Sequence, residues 1–405
     1  MKTNCQLSLL IGLLLCHVDS SQADWKKIEA VPPHFTNCIT VIGNSIFVGT
    51  ELSGIFRSTD SGKSWSQVDT GLGSVAVNAF AGSTDHIFAA AYGTGVFLTT
   101  DNGDHWSKID TGFIYPTFNS LLMYGSSLFV GMNDGVYATT NSGATWDWHW
   151  SSFDDVGPHT VDAFAAIGNT IFAGTYGHGV YYWWDNRIWC AANAGLTNNY
   201  VNSLCVLGSW LYAGTEEGVC VSLDNAHSWT ARNHGLTDTH IRSLIFDGSY
   251  LFAGTNQGVY YSSNCGVDWF PFNSGLAESV IRCLAIYNSV LYAGSQDGLW
   301  ERPLSEITDV EYFRVPSIST FGLNRNFPNP FNPATTISFE LSSECFASLA
   351  VYDLQGRRVA CLVSEKVAAG RHTVVWNAGS LPTGVYSYQL RAGLHTETRR
   401  CVLLK

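Results

Sequence analysis

The sequence predicts an all-β protein in two units, a ring of seven four-stranded repeats of about 40 residues and a small β-sandwich behind it. Three observations predict it. Tryptophan recurs at Trp25, Trp65, Trp106, Trp146, Trp189, Trp229 and Trp269, in steps of 40, 41, 40, 43, 40 and 40 residues. The composition is poor in charge (13%) and rich in aromatics (13%) and glycine (39 residues), which suits short strands and tight turns rather than helical bundles. Beyond residue 304 the period is lost, and beyond 321 apolar alternation of another rhythm takes over.

The first 23 residues read as a secretory signal peptide. Lys2 supplies the positive start, Leu7 to Leu15 the short apolar run, and Ser21-Gln22-Ala23 the small residues before the cut. Leu15 stands before Cys16 where a lipoprotein site needs a small residue. No other stretch reaches the ~18 apolar residues of a membrane span, so no transmembrane segment is expected in the mature chain. Nine of the 11 cysteines remain after cleavage, an odd number with no zinc spacing, and they read mostly as small buried apolar residues. No metal and no cofactor are expected. A net charge of −12 disfavours a nucleic-acid partner, because phosphate contacts need clustered cations.

Within the repeats, a short turn precedes most of the tryptophans. Its copies are Asp60-x-Gly62-x-x-Trp65, Asp101-x-Gly103-x-x-Trp106, Asn141-x-Gly143-x-x-Trp146, Asp224 with Trp229, and Asn264-x-Gly266-x-x-Trp269. The acid or amide caps its own turn, the glycine supplies positive φ, and the indole packs between repeats. A second marker runs in phase, from Phe47-Val-Gly49-Thr50 to Tyr292-Ala-Gly294-Ser295, with a further glycine four or five residues on. Four alternating runs per unit make the propeller blade the predicted element. In the fifth unit these are Asn202 to Val206, Trp210 to Thr215, Val219 to Leu223 and a run from Trp229. The last unit ends near Leu304 without its Trp strand, and the mature chain begins with a Trp strand, Asp24 to Glu29, that lacks a unit. Joining the two closes a seven-bladed β-propeller over 24–304. Closure makes units one and seven neighbours, which places Cys38 and Cys283 at matched positions as a candidate disulfide.

The turns resemble Asp-box (BNR) repeats, which occur in sialidases, sortilin-type receptors, photosystem assembly-factor-like propellers and some xyloglucan-cleaving glycosidases. The resemblance implies the fold and says little of activity, since the Asp box is a structural turn.

Residues 305–321 read as a linker. The second unit, 322–405, opens on Asn329-Pro330-Phe331-Asn332-Pro333. Alternating runs follow at Ile337 to Leu341, Ala347 to Tyr352, His372 to Trp376, Val385 to Leu390 and Thr398 to Leu404. Together with Asp353-Leu-Gln-Gly356-Arg357, Trp376, Gly384-Val385-Tyr386 and Val402-Leu-Leu-Lys405, this closely resembles the type A C-terminal sorting domain of type IX secretion cargo, with the immunoglobulin-like pattern of flagellar hook-cap proteins. The resemblance implies type IX-like secretion machinery as partner, a secreted or cell-surface location in a Bacteroidota-like Gram-negative bacterium, and removal of the domain after export.

No catalytic residue is assigned. A sialidase needs an arginine cluster, and only Arg242 and Arg282 hold matched positions. Another glycosidase would need two facing carboxylates, for which Asp154, Asp155, Asp162, Glu216 and Glu217 are available on predicted loops. Binding is the better class. The residues opening the inner strands, Asn37, Asn78, Asn119, Asp162, Asn202, Arg242 and Arg282, recur in phase and should ring one mouth of the channel. Tyr92, Tyr176, His178, Glu216, Glu217 and Asp297 are expected on that face. Trp146, Trp148 and Trp150 alternate on one strand, and the exposed ones would make a platform for a sugar or a partner protein. The expectation is a non-catalytic recognition protein for an extracellular glycan or protein, with a glycoside hydrolase as the alternative.

Overall fold

The computed structural model describes residues 24–73, 75–109, 117–148, 159–184, 188–276, 279–307, 322–341, 345–368, 370–379, 381–392 and 395–404. Among them, residues 24–303 form seven four-stranded antiparallel sheets. The first runs Thr36–Ile42, Ser45–Thr50, Ile55–Ser58, Ser66–Gln67, in sequence order from the inside outward. Five more repeat this order. The last instead takes Ile281–Tyr287, Val290–Ser295 and Gly298–Pro303 and completes itself with Lys26–Lys27 from the chain start. The inner strand of each sheet packs against that of the next, and Ile281–Tyr287 packs against Thr36–Ile42. The result is a β-propeller.

The in-phase glycine of each unit is explained by this packing. A methyl group on Gly131 would lie 2.6 Å from the Val161 carbonyl oxygen in the next sheet. One on Gly294 would lie 2.6 Å from Thr36 Cγ2, across the junction between the chain's last and first sheets. Middle strands come this close to the neighbouring inner strand only where no Cβ intervenes.

The turns before the tryptophans have one geometry. Asp60 accepts from Ser58 Oγ and from the Ser64 amide, each at 2.9 Å. Asp101, Asn141, Asp224 and Asn264 accept the amide four residues on in the same way. These bonds hold the Asp60 carboxyl down to about 2, with the Ser64 hydroxyl the largest cause. Gly62, Gly103, Gly143 and Gly266 all have positive φ, and Ala226 takes the same conformation at 65°. The indoles then bridge sheets. Trp106, Trp229 and Trp269 donate through Nε1 to the carbonyls of Val68, Ala192 and Arg232 in the preceding sheet. Trp25 does the same to Phe272, at 2.6 Å, and so stands where a seventh Trp belongs. Trp65 donates instead to its own turn at Gly62.

The C-terminal unit is an immunoglobulin-like sandwich of a three-stranded and a four-stranded sheet. Ile337, Phe339, Leu349, Val351, Trp376, Tyr388, Leu390 and Leu403 fill its core. Two strands absent from the sequence reading complete it, Gly322–Leu323 and Arg358–Val367. The longer one is an edge strand, mostly exposed, so no apolar alternation marks it. A 3-10 turn, Leu304–Glu306, occupies the start of the expected linker; its remainder, 308–321, lies outside the described residues.

Candidate functional site

Every inner strand carries one β-bulge, one residue after its start. The bulge skips Asn37, Asn78, Asn119, Asp162, Asn202, Arg242 and Arg282 in turn. The sequence reading set these as strand-opening residues; they are second in their strands, and the bulge is what distinguishes them. A bulged residue leaves the ladder and its side chain is re-aimed. Here six of the seven line one open cavity of about 420 Å³, together with Cys38, Ser243 and Cys283. Arg242 holds the equivalent bulge between Asn202 and Arg282.

Most of the amides are committed to their neighbours. Asn37 Nδ2 donates to Asn78 Oδ1 (3.4 Å), Asn78 to the Phe118 carbonyl (3.0 Å), and Asn202 to the Ile241 carbonyl (2.9 Å). Asn119 turns instead to Asn133 in its own sheet (3.0 Å). Arg282 Nη1 donates to Asn37 Oδ1 at 2.8 Å, carrying the chain of bonds from the last sheet to the first. Its guanidinium also covers the Phe35 ring at 4.3 Å. Arg242 Nε donates to Asn256 Oδ1 at 2.5 Å.

Asp162 is different. Burial alone pushes its carboxyl up to about 6, with no hydrogen bond offsetting it. In the unfolded chain the same group titrates near 3.9. Its raised folded value means that stability is lost as pH climbs from about 4 to 6, where the unfolded chain ionises more readily. Asp162→Asn should therefore stabilise the protein at pH 7.5 by roughly 1–3 kcal/mol and leave it unchanged below about pH 4. Thermal melts of both forms at the two pH values check this.

Loops on the same face as the cavity carry aromatic side chains, the Tyr92 and Tyr176 amides bonding Ala76 and Thr160 just before two inner strands. Tyr92 and Tyr176 are more than half exposed, and Tyr176 meets Tyr200 edge-on at 4.8 Å. His178 stacks at 3.7 Å on the buried His159, which bonds the Tyr181 hydroxyl. Sequence reasoning missed Tyr200, Phe35 and His159; they sit on loops before inner strands, where no periodic pattern marks them. Glu216 approaches His240 at 3.7 Å, and Asp297 accepts from Ser279.

Other expected sites separate from this one. Trp148 lies 55% exposed on an outermost strand, Asp147–Trp148, at the opposite edge of its sheet from the cavity. Trp150, Asp154 and Asp155 lie outside the described residues. Trp183 is buried against Trp189 and Phe129 and belongs to the core between sheets. The Cys38–Cys283 disulfide is corrected: both thiols are free. Cys38 Sγ donates to the Val77 carbonyl and Cys283 Sγ to that of Thr36. Ring symmetry turns matched side chains the same way round, each toward the next sheet rather than toward its equivalent.

In the sandwich, Asn329 Oδ1 accepts the Val402 amide at 2.9 Å, and buried Phe331 exchanges backbone bonds with Val402 and Leu404. Pro330, Asn332 and Pro333 flank that contact, so the opening motif clasps the closing strand. Gly356 has φ 78°, and Arg357 Nε donates to Asp353 Oδ2 at 2.8 Å with its side chain 78% exposed.

Comparison with known proteins agrees with this division. The family model of the secretion system C-terminal sorting domain matches residues 325–404. No curated protein sequence matches the chain. Among solved structures it is similar to YCF48 bound to a D1 peptide, at 15% identity and TM-score 0.55, over 70% of this chain and 95% of that one. It is similar to PorZ, a surface component of the type-IX secretion system of Porphyromonas gingivalis, at 15% and 0.53, over 91% of this chain and 59% of that one. It is also similar to the GH74 enzyme of Niastella koreensis, at 14% and 0.56, over 78% and 59%. At such identities the likeness is one of fold. No helix among the described residues is long and apolar enough to cross a membrane. The sorting domain makes a Bacteroidota-type type IX secretion machinery the partner of this chain, and the protein is a secreted or cell-surface one.

Proposed function

We propose that residues 24–304 are a seven-bladed Asp-box propeller that recognises an extracellular glycan or protein without chemistry, joined through 305–321 to the sorting domain at 322–405. One observation carries this reading: seven sheets bulge at one register, and six of the seven bulged residues line a polar cavity of about 420 Å³. A bulge repeated only for packing would not need Asp162 and two arginines in place of the amides. A glycoside hydrolase remains the second reading, favoured by the raised carboxyl of Asp162, which holds its proton up to about pH 6. That chemistry needs a second carboxylate across the cleft, and among the described cavity-lining residues Asp162 is the one acid. The test is a glycan and protein array probed with the mature chain, followed by assay of the bound sugars for release. Retention that falls in Asn202→Ala and Asp162→Asn, without released sugar, supports recognition. Turnover above a blank, lost in Asp162→Asn, establishes the enzyme instead.

A further inference from the structure

We infer that Arg242 and Arg282 form a carboxylate-binding subsite at the channel mouth, and that the ligand is a peptide segment that places an Asp or Glu side chain there. The inference rests on the recognition reading and names its ligand. Each guanidinium has one side-chain hydrogen bond, to Asn256 and to Asn37, which leaves most of its five donors uncommitted. Neither arginine is ion-paired among the described residues, unlike Arg57, Arg302, Arg357 and Arg399, which each meet an acid. They stand on adjacent sheets, each the bulged second residue of its inner strand, and Arg282 adds to the burial that weakens the protonation of Arg242, while Glu216 and Asp238 act the other way. Two half-buried, mutually repelling cations in one mouth are an arrangement that a bound anion relieves.

The surroundings narrow the anion. Residues 24–321 carry 27 acidic and 11 basic side chains, and Asp162 lines the same cavity. A singly charged carboxylate suffers less from that field than a doubly charged phosphate group. Besides Asp162 and Arg282 the cavity wall is amide, hydroxyl, thiol and the aliphatic Ile39 and Leu284, with no aromatic face for a sugar ring to stack on. Tyrosines stand on loops of the same face instead, at Tyr92, Tyr176 and Tyr200, all exposed. Rigid amphipathic tyrosines around a polar pocket suit a peptide, whose backbone they flank while one side chain enters. The arginine fork then fixes register, since it takes a carboxylate in two parallel bonds and an amide only weakly.

Two immobilised peptide libraries test this, with random flanks around a fixed central Glu or a fixed central Gln, beside immobilised oligogalacturonate. Each is probed with the mature chain. The Glu library should retain at least tenfold more protein than the Gln library, the factor a bidentate charge-assisted pair gives. Arg242→Gln and Arg282→Gln should each reduce retention to the Gln level, with circular dichroism and melting unchanged, while Arg57→Gln keeps it. Equal retention on both libraries overturns the carboxylate subsite. Retention on oligogalacturonate alone overturns the peptide and makes the occupant an acidic glycan. If binding survives both arginine variants but fails in Asn202→Ala, the recognition reading stands and the subsite falls. If it survives all of the ring variants, the reading itself falls.

Discussion

Deleting residues 24–30 from the mature chain should destabilise the propeller by at least about 5 kcal/mol and expose it to aggregation. Trp25 is 3% exposed and donates through Nε1 to Phe272, while its amide bonds the Ser274 carbonyl. Lys26 and Lys27 pair with Glu301 and Trp300, and the Ile28 amide bonds Leu299. Without them, the strand Gly298–Pro303 becomes a bare edge and the space between the sixth and seventh sheets loses its indole. Truncating a buried Trp alone costs roughly 3–5 kcal/mol, so Trp25→Ala should reproduce most of the loss. Thermal and urea unfolding of the two variants measure it. A melting temperature within error of the intact protein's would show that the terminal strand closes nothing, and the seven-bladed ring would have to be abandoned.

Removing 322–405 should abolish surface display while leaving a folded propeller in the periplasm. The two units have separate cores, each assembled from its own segment of the chain. Fused to an unrelated exported protein, the domain should carry that protein to the surface. Two point variants divide recognition from folding. The closing segment is structural, because Leu403 is fully buried and Val402 and Leu404 are clasped by Asn329 and Phe331. Leu403→Asp should therefore unfold the domain and block export through that route. Arg357 is exposed and tied only to Asp353, so Arg357→Ala should leave the sandwich folded and lower export if the machinery reads this turn. Protease protection of the surface fraction, beside melting of the purified domain, checks both. Normal display after deletion of the whole segment would refute the sorting role.

Much of the candidate site was legible as phase and little of it as geometry. Asn37, Asn78, Asn119, Asp162, Asn202, Arg242 and Arg282 share one register, and the step between them is visible in the chain. Their bulge is not, because a bulge is a property of pairing with the second strand and leaves no composition mark. The committed and uncommitted members were equally hidden. Asn202 and Asn78 look alike in sequence to a ligand-seeking amide, yet each bonds a backbone carbonyl of the next sheet. Trp148 and Trp183 are both strand tryptophans outside the 40-residue series, and one is exposed while the other is core.

What the sequence by itself determined is the repeat, its turns and the address. These rest on local chemistry: an Asp or Asn bonding an amide four residues on, a glycine where φ is positive, an alternation that selects one face of a strand. What only the tertiary structure decided is which side chains remain free to act. Asp162 is distinguished from Asp60 by desolvation on one hand and a closed set of local bonds on the other, and desolvation depends on sheets brought together from distant parts of the chain. Arg242 and Arg282 are 40 residues apart, and it is the packing of adjacent sheets that sets their charges against each other, with no ion pair to either among the described residues.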